Sequence, residues 1–371
     1  MDLNIAVLPG DGIGPEIITQ AVKVLNAIAQ KFRHNFTFNS ALVGASAIEE
    51  TGNPLPEKTL NICKNADAIL FGTVGHPKYN YLEIKNRPEQ GLLKLRKHLG
   101  LFADIRPITT YKPLIHKSPI KEKVILNTDF IIYRELSSGI YYGKKSVATD
   151  DSSASDTCFY AAEEIDRIAH LAFKSAKSRR KKLTLVDKSN VLETSRLWRK
   201  RVTKIAEAYP DVKVYFLHID SAAMQLIVNP RKFDVILTEN LFGDILSDEA
   251  SIISGSIGLS ASASIGDDAV LFEPVHGSYA KYTGKNIANP LATILSAAML
   301  LEHFKLHEEA DAVKSAVDKS IEYNITTPDL NSSKKFAHTS DVGDFIAEYI
   351  LDKKSALYDM ENISLGQSTI I

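Results

Sequence analysis

Short apolar runs alternate with longer amphipathic stretches along most of the chain. Residues 3–9 form an apolar run with the length of a buried strand, and residues 16–32 repeat apolar positions at helical spacing. Strands joined by helices in this way predict an α/β fold with the strands inside. The clearest block predicts strands at 183–186, 212–217 and 235–238 and helices at 191–208 and 222–228. Residues 142–157 and the polar tail after residue 352 lack the pattern, and we predict both to be mobile.

The composition is that of a packed globular protein, and the length exceeds what one hydrophobic core usually supports. The chain has 371 residues, of which 44% are hydrophobic and 24% are charged, so two domains or one large α/β unit are expected. The 44 Lys and Arg balance the 45 Asp and Glu. Without a net positive field, nucleic acid is not expected as a partner, and any anion site must be local.

The cysteines and the N-terminus favour a cytoplasmic protein. Cys63 and Cys158 lie far apart and lack the spacing of a zinc or redox motif, so both are expected to be reduced thiols. The N-terminus has no basic segment, and no apolar run approaches the ~20 residues of a membrane span. We therefore expect no membrane partner.

A glycine-rich segment, GDGIGPE at residues 10–16, follows the first predicted strand. Its glycines fall as GxGxG, whereas the dinucleotide-binding fingerprint is GxGxxG, and Pro15 suits the start of a helix. The segment therefore predicts a tight turn that could still border a ligand, but not a Rossmann fold.

The segment at residues 87–96 predicts a helix that carries charged and aliphatic groups on one face. Glu89, Leu92, Leu93 and Arg96 stand at i, i+3, i+4 and i+7, which places them on the same side. A partly exposed helix with buried leucines would explain this segment alone.

Two further arginines change that interpretation. Arg106 and Arg134 each end an apolar run that reads as a strand, so three guanidinium groups could converge with Arg96. Because arginine binds carboxylates as a two-pronged donor, the trio predicts a small substrate with more than one carboxylate. Ion pairs to Glu89 or Glu135 are the structural alternative.

Acidic residues at residues 238–249 suggest a metal site. Asp244 and Asp248 are four residues apart and share one helical face, where two carboxylates repel each other unless a cation lies between them. Such oxygen ligands suit Mg²⁺ or Mn²⁺, and Asp220 is a plausible third ligand. A solvated acidic face is the alternative.

Three further features could carry chemistry. Lys188 follows a predicted strand and precedes a helix, a position where α/β proteins bind ligands, and a nearby metal would lower its pKa. Tyr141 lies in a loop and could supply a proton. Asn289 and Pro290 predict the start of a helix at 291–304 after an ordered glycine-rich loop. A solvated lysine and ordinary loops are the alternatives.

Taken together, these segments resemble the isocitrate and isopropylmalate dehydrogenase family from residue 3 to about residue 350. The motifs GDGIGPE, RPEQGLLKLRK, DKSNVLE, TENLFGDILSDEAS, EPVHGS and GKNIANP occur in the family's order and spacing. The resemblance implies two α/β domains that share a large mixed sheet. The first domain would be discontinuous, with residues 1–102 and 256–371, and the second would contain residues 103–255.

The resemblance also implies a role for each candidate residue. Groups of one subunit and its partner would form the active site together, so the enzyme would be a homodimer. The substrate carboxylates would bind Arg96, Arg106 and Arg134, the metal would bind Asp244 and Asp248, and Tyr141 would be the proton donor. The residues that would serve the partner's site are the base Lys188 and its neighbours Asn190, Val191 and Asp220. The cofactor would bind Glu89, His276, Gly277, Ser278 and Asn289.

Leu92 and Leu93 match the family's isopropyl pocket, which implies 3-isopropylmalate as the substrate, oxidised and decarboxylated to 2-oxoisocaproate in leucine biosynthesis. Isocitrate, homoisocitrate or tartrate are alternative substrates. A non-catalytic nucleotide-binding regulatory subunit is the alternative from another class, but such a chain should have lost the metal, lysine or tyrosine positions, which are all present.

Two departures from the family pattern concern the cofactor and one loop. Lys281 and Tyr282 are the pair carried by NADP-using relatives, although Ala288 is of the NAD type. The expected cofactor is NAD, with NADP as the alternative, because a lysine attracts a 2′-phosphate. Ser137 and Ser138 stand where close relatives carry Thr-Gly, which concerns the loop before Tyr141.

Overall fold

The computed structural model describes residues 1–331 and 335–352, and the tail predicted to be mobile lies outside this range after residue 352. The strands are β1 (Asp2–Gly10), β2 (Asn35–Ser40), β3 (Ala68–Thr73), β4 (Ala103–Thr109), β5 (Asp129–Glu135), β6 (Lys145–Val147), β7 (Ala154–Asp156), β8 (Lys182–Asp187), β9 (Lys213–His218), β10 (Val235–Thr238), β11 (Ala261–Ile265) and β12 (Val270–Pro274). The helices are α1 (Gly14–Phe32), α2 (Ala45–Thr51), α3 (Glu57–Lys64), α4 (Glu89–His98), α5 (Glu122–Ile125), α6 (Ala162–Ser178), α7 (Glu193–Ala206), α8 (Ile219–Val228), α9 (Asn240–Ser251), α10 (Leu291–His303), α11 (His307–Glu322) and α12 (Thr339–Ile350).

The chain divides into two compact units, and one of them is discontinuous. Unit 1 contains Met1–Leu92 and Leu271–Ile371, and unit 2 contains Leu93–Val270. The α/β class and the mixed sheet expected from the sequence are confirmed. The functional domain boundaries at 102/103 and 255/256 stay a prediction.

Unit 1 is built on parallel strands in the order β2-β1-β3-β12. All six residues of β3 are buried, which agrees with the apolar run expected of a central parallel strand. The GDGIGPE segment forms the turn from β1 into α1, as predicted, and Pro15 lies in the first turn of that helix. Helix α10 is buried along most of its length, and α1, α11 and α12 complete the unit.

Unit 2 has strands in the order β11-β4-β5-β10-β8-β9. Strands β11, β4 and β5 pair antiparallel, whereas β5, β10, β8 and β9 pair parallel. Successive residues of a strand face two separate cores. Leu185 of β8 belongs to the core with Phe173 of α6 and Trp198 of α7, whereas the next residue, Val186, belongs to the core with Leu246 of α9. The predicted order of strands and helices between residues 183 and 251 is confirmed.

The segment 142–157 is more regular than the sequence pattern indicated. Strands β6 and β7 pair antiparallel as a short hairpin, with Lys145 opposite Asp156 and Val147 opposite Ala154. All six strand residues are exposed, which explains why no apolar alternation marked them. In the described part of the chain, no helix is long and apolar enough to cross a membrane.

Candidate active site

Two buried arginines on adjacent strands of unit 2 form the base of the candidate site. Arg106 lies on β4 and Arg134 on β5, and both side chains are almost fully buried. A buried carboxylate, Asp104, lies directly across from Arg134 in the antiparallel pair and accepts a hydrogen bond from Nε of Arg106 at 2.8 Å. Nη1 of Arg134 lies 3.8 Å from the same carboxylate. Asp104 therefore compensates part of the positive charge of the two arginines.

The third predicted arginine belongs to the same electrostatic cluster. Arg96 lies near the end of α4, a helix that the sequence predicted. Burial lowers the pKa of Arg134, and the positive charges of Arg106 and Arg96 lower it further, while Asp104 and Asp244 oppose them. Three guanidinium groups near one another in a partly buried site would attract a multiply charged carboxylate.

The carboxylates of α9 face these arginines. Asp244 Oδ1 lies 2.5 Å from Nη1 of Arg134, and Asp248 Oδ1 lies 3.5 Å from Nη1 of Arg106. Nη1 of Arg106 also donates to the Ser247 hydroxyl at 2.6 Å. Burial raises the pKa of Asp248, and Asp244 raises it further against the opposing effect of Arg106. The two acids thus share one face of the helix, as their spacing predicted.

Tyr141 completes this cluster from a neighbouring turn. Its hydroxyl donates to Asp244 Oδ2 at 2.7 Å, and the guanidinium of Arg134 lies 5.8 Å from its ring centre. Burial, together with the hydrogen bond and charge of Asp244, raises the pKa of Tyr141 to about 12. The phenol therefore keeps its proton at neutral pH, as a proton donor requires.

Lys188 and Asp220 form a separate pair in unit 2. Nζ of Lys188 lies 2.6 Å from Asp220 Oδ1, and this hydrogen bond lowers the pKa of Asp220. Asn190 and Val191, in the loop that follows, are exposed. Within the described residues, no three or more His, Cys, Asp or Glu side chains are grouped to hold a metal ion. The predicted metal set, which takes Asp220 from a second chain, stays a prediction.

Most of the predicted cofactor residues follow β12 in unit 1, whereas Glu89 begins helix α4 and Asn190 lies in unit 2. The GDGIGPE turn contacts the loop at 275–279, because the amide of Ile13 donates to the Ser278 carbonyl at 2.9 Å. Gly12 has a φ of +62°, and a Cβ there would lie 2.1 Å from that carbonyl oxygen, so only glycine permits this approach. The glycines of this segment therefore serve loop packing, which agrees with the predicted turn.

Asp11 ties this turn to two other parts of unit 1. Its buried carboxylate accepts hydrogen bonds from the amides of Ala45 at 2.8 Å, Ser46 at 3.0 Å and Gly75 at 2.8 Å. Burial raises the pKa of Asp11, and these three amides oppose the rise. Glu89 lies close to Gly75, because a Cβ built on Gly75 would lie 2.7 Å from Oε1 of Glu89.

His276 and Asn289 differ in how free they are to bind a cofactor. His276 is buried and its Nδ1 lies 3.1 Å from the Gly277 carbonyl, while its Nε2 has no hydrogen-bond partner within the described residues. Burial also lowers the pKa of His276, which favours the neutral ring. Asn289 is already engaged: its Oδ1 accepts from the amide of Leu291 at 3.0 Å, and its Nδ2 donates to Asp329 at 2.9 Å. The helix begins at Leu291, as predicted, but its N-cap residue is Pro290 and not Asn289.

Lys281 and Tyr282 lie together in a short helical turn, with the lysine ammonium 4.9 Å from the ring centre. The sequence interpretation missed a second lysine: Nζ of Lys285 lies 5.4 Å from the same ring. Both ammonium groups therefore sit beside one exposed tyrosine. No helical spacing marks this pair, because the helical turn ends at Tyr282 and Lys285 lies beyond it.

Leu92 and Leu93 are half-buried on α4, on the face that the spacing predicted. The sequence interpretation missed Asp104, Ser247 and Asn240, which contact the arginines from inside the protein. Asp104 could have been found, because it stands two residues before Arg106 and therefore on the same face of β4. Nothing in the local sequence marks Ser247 or Asn240.

Comparisons with known proteins agree with these features. A family model described as isocitrate/isopropylmalate dehydrogenase matches residues 4–346. The chain is 50% identical over 353 residues to the 3-isopropylmalate dehydrogenase of Bacteroides fragilis (strain YCH46), covering 94% of this chain and 99% of that protein. It is 49% identical over 361 residues to the 3-isopropylmalate dehydrogenase of Bacillus subtilis (strain 168), covering 96% and 99%.

Solved structures show the same similarity in three dimensions. The isocitrate dehydrogenase of Methylococcus capsulatus superimposes with a TM-score of 0.84 at 34% identity, covering 94% of this chain and 99% of that one. A beta-decarboxylating dehydrogenase from Thermococcus kodakarensis, solved in the apo form, gives a TM-score of 0.78 at 36% identity, covering 97% and 98%.

Proposed function

The chain belongs to the isocitrate/isopropylmalate dehydrogenase family, and from that premise we propose that it oxidises and decarboxylates 3-isopropylmalate to 2-oxoisocaproate and CO2, with NAD and a divalent metal ion, in leucine biosynthesis. The observation that carries the proposal is the identity of about half, over nearly the full length, with proteins named 3-isopropylmalate dehydrogenase. Cys63 and Cys158 are free thiols, which supports a cytoplasmic location.

The proposed substrate site uses the arginine cluster of unit 2. Arg96, Arg106 and Arg134 bind the two carboxylates of 3-isopropylmalate, and the half-buried Leu92 and Leu93 contact its isopropyl group. This assignment is supported by the convergence of the three positive charges and by the buried Asp104, which limits their mutual repulsion. A dicarboxylate bound there would be held in a fixed orientation by paired hydrogen bonds.

The proposed metal ligands are Asp244 and Asp248, with Asp220 of the partner subunit. The donor chemistry fits, because hard oxygen ligands suit Mg²⁺ or Mn²⁺ and two carboxylates four residues apart on one helix face favour a cation between them. When bound, the ion would polarise the substrate's C2 oxygen and the nicotinamide would accept hydride.

The proposed proton transfers belong to a lysine and a tyrosine. Lys188 of the partner subunit takes the proton of the C2 hydroxyl as hydride leaves C2. The 2-oxo acid has its C3 carboxylate β to the new ketone, so CO2 leaves and an enolate remains. Tyr141 donates a proton to C3 of this enolate, a role that its raised pKa of about 12 supports.

We also propose that the active unit is a homodimer. Supporting observations are the exposed apolar side chains of the adjacent helices α8 and α9 and the separate Lys188–Asp220 pair. Met224 is 64% exposed, Val228 65% and Ile245 54%, which is unusual for three large apolar side chains on neighbouring helices. A second copy that covered this surface would bury them.

The test of the proposed function is an initial-rate assay of the purified chain. We expect reduction of NAD with 3-isopropylmalate and Mg²⁺, loss of the rate after chelation, and recovery when the metal is restored. Isocitrate, homoisocitrate and tartrate are the competing substrates. A higher kcat/KM for any of them would replace 3-isopropylmalate, and nucleotide binding without turnover would support the regulatory alternative.

NADP is the second candidate cofactor because Lys281 and Lys285 place two ammonium groups beside Tyr282. We predict that Lys281→Asp lowers the NADP-to-NAD ratio of kcat/KM by at least about tenfold, equivalent to ~1.4 kcal/mol. The reason is that an ammonium attracts a 2′-phosphate and a carboxylate repels it. The ratio should change less at high salt, where the charges are screened.

The matched control is Lys58→Asp on α3, which makes the same change of net charge at another exposed lysine of unit 1. Lys58→Asp should leave the cofactor ratio unchanged. An equal ratio for wild type and Lys281→Asp at both salt concentrations would remove Lys281 from the ribose site.

A further inference from the structure

Asn240 is a buried amide whose polar groups are all engaged within unit 2. It is the first residue of α9, is only 1% exposed, and does not cap the helix, because Glu239 is the N-cap residue. Its backbone amide donates to the Tyr160 hydroxyl at 3.0 Å. Its side chain points inward and contacts two different parts of the candidate site. A buried amide whose oxygen and nitrogen both have partners has one defined orientation.

The first contact fixes the guanidinium of Arg134. Nε of Arg134 donates to the Asn240 carbonyl at 3.0 Å and to Oδ1 at 3.2 Å, and Nη2 donates to the same Oδ1 at 2.9 Å. Because the guanidinium is planar and rigid, holding its Nε and Nη2 edge determines where Nη1 points. Nη1 is the group that faces Asp244.

The backbone of α9 also packs closely against the side chain of Arg134. A Cβ added to Gly243 would lie 2.5 Å from Cγ of Arg134, so α9 approaches the aliphatic part of the arginine as closely as glycine allows. The backbone of α9 therefore confines the aliphatic part of Arg134, and the Asn240 side chain holds its guanidinium. This leaves it little freedom to choose another rotamer.

The second contact fixes the turn that carries Tyr141. Nδ2 of Asn240 donates to the Ser138 carbonyl at 3.2 Å. The amide of Ser138 donates to Glu135 Oε2 at 3.0 Å, and the amide of Gly139 donates to the Phe159 carbonyl at 3.0 Å. Among the described residues, the Asn240 amide is the side chain that holds the Ser138 carbonyl, while the Ser138 hydroxyl donates to Glu164. The helical turn that ends at Tyr141 begins at the next residue.

We propose that Asn240 is a positioning residue that aligns Arg134 with the Tyr141 turn, so that one amide orients both the group that binds the substrate carboxylate and the group that donates the final proton. This rests on the proposed function, in which Arg134 and Tyr141 have those roles. The acceptor oxygen of the amide serves Arg134 and its donor nitrogen serves the turn. An aspartate could replace only the first contact, and an alanine neither.

That division gives a specific test with two variants. Asn240→Asp keeps an acceptor for Arg134 but loses the donor to Ser138. We expect its kcat with 3-isopropylmalate to fall at least about tenfold while KM stays within about threefold. Asn240→Ala loses both contacts, so its KM should rise at least about tenfold as kcat falls. The control is Phe173→Leu, a core change on α6 that lowers the melting temperature without contacting the site.

The isotope effect distinguishes positioning from a general loss of stability. With substrate deuterated at C2, slower protonation makes a step after hydride transfer rate-limiting, so the effect on kcat in Asn240→Asp should fall towards one. The proposal is overturned if both Asn240 variants behave like Phe173→Leu, with a lower melting temperature but wild-type KM, kcat and isotope effect.

Failure of the proposed function would be visible in the wild type, which would not turn over 3-isopropylmalate. In that case malate, whose two carboxylates probe the arginines, is used as an equilibrium ligand. Weaker malate binding by Asn240→Ala than by Phe173→Leu supports the contact with Arg134, and equal binding overturns the positioning role.

Discussion

At the scale of single residues, Tyr141 has a raised pKa and lies between the carboxylate of Asp244 and the guanidinium of Arg134. Its hydroxyl donates to Asp244, and its pKa of about 12 means that it does not ionise in the neutral range. We predict that Tyr141→Phe lowers the rate of product formation by about 10²- to 10⁴-fold, the usual contribution of a general acid. Rapid-mixing measurements should show that the first turnover of NADH formation is affected much less.

The neighbouring tyrosine is the matched control for this prediction. Tyr142 is 38% exposed, almost the same as Tyr141 at 39%, and burial raises its pKa, but within the described residues its hydroxyl makes no hydrogen bond to Asp244. Tyr142→Phe should therefore retain most of the turnover. If Tyr142→Phe lost product formation and Tyr141→Phe did not, the proton donor would be assigned to the wrong residue.

Site residues could be predicted where the residue type and its position in a local pattern both indicated a role. They could not be predicted where the role depends on a contact between segments that are distant in the sequence. Arg106 and Arg134 each follow an apolar run, so their positions on strands could be predicted, and both contact Asp104 in the structure. Arg106 lies in the middle of β4 and not at its end, because the strand continues to Thr109. Asn240 lies 106 positions from Arg134 along the chain, and its contact exists only because β5 and β10 are adjacent strands. Single-sequence periodicity carries no information about which strands pair.

At the scale of elements, α9 carries Asp244 and Asp248 of the candidate site and contacts Arg134. The spacing of its acids predicted a shared face, and the helix bounds confirm it. What the sequence did not reveal is the close packing of α9 on β5, where Gly243 meets the Arg134 side chain. Hairpin β6–β7 was also missed, because exposed strands show no apolar alternation.

The close approach of α9 leads to a prediction for Gly243→Ala. A new methyl group 2.5 Å from Cγ of Arg134 must push the side chain or the helix away. We expect a loss of about 1–3 kcal/mol in the free energy of unfolding, typical of overpacking, together with a higher KM. Denaturant unfolding and initial rates measure the two effects.

Gly52→Ala is the control for this change. Gly52 ends α2 with a φ of +74°, and a Cβ there would have no neighbour within 4 Å. That variant should lose stability through backbone strain alone and keep its KM. A wild-type KM in Gly243→Ala would mean that Arg134 tolerates displacement, which would weaken its assignment to the substrate carboxylate.

At the scale of the whole molecule, the proposed site needs groups from two chains. Asp244→Asn and Lys188→Met should each abolish turnover by themselves. Dimers reassembled from an equal mixture should recover about a quarter of the wild-type rate, because half of them are mixed and each mixed dimer has one intact site. The measurement is the rate after joint unfolding and refolding.

Each variant refolded alone is the control for the mixture. A mixture as inactive as the separate variants would show that Lys188 and Asp244 act within one chain, or that no dimer exchanges. Size-exclusion chromatography with light scattering separates these explanations, because it reports whether the refolded chain is a dimer.

The discontinuity of unit 1 has a consequence for synthesis on the ribosome. Strand β3 pairs with β12, but the whole of unit 2, about 180 residues, is translated between them. At roughly 5–20 residues per second, the first 92 residues wait roughly 10 to 35 s for that partner. Unit 2 is continuous and can fold during this delay, so nascent chains arrested once unit 2 has emerged should resist protease there and be cleaved within residues 1–92. Until β12 is made, the edge of β3 is a surface for chaperones to cover.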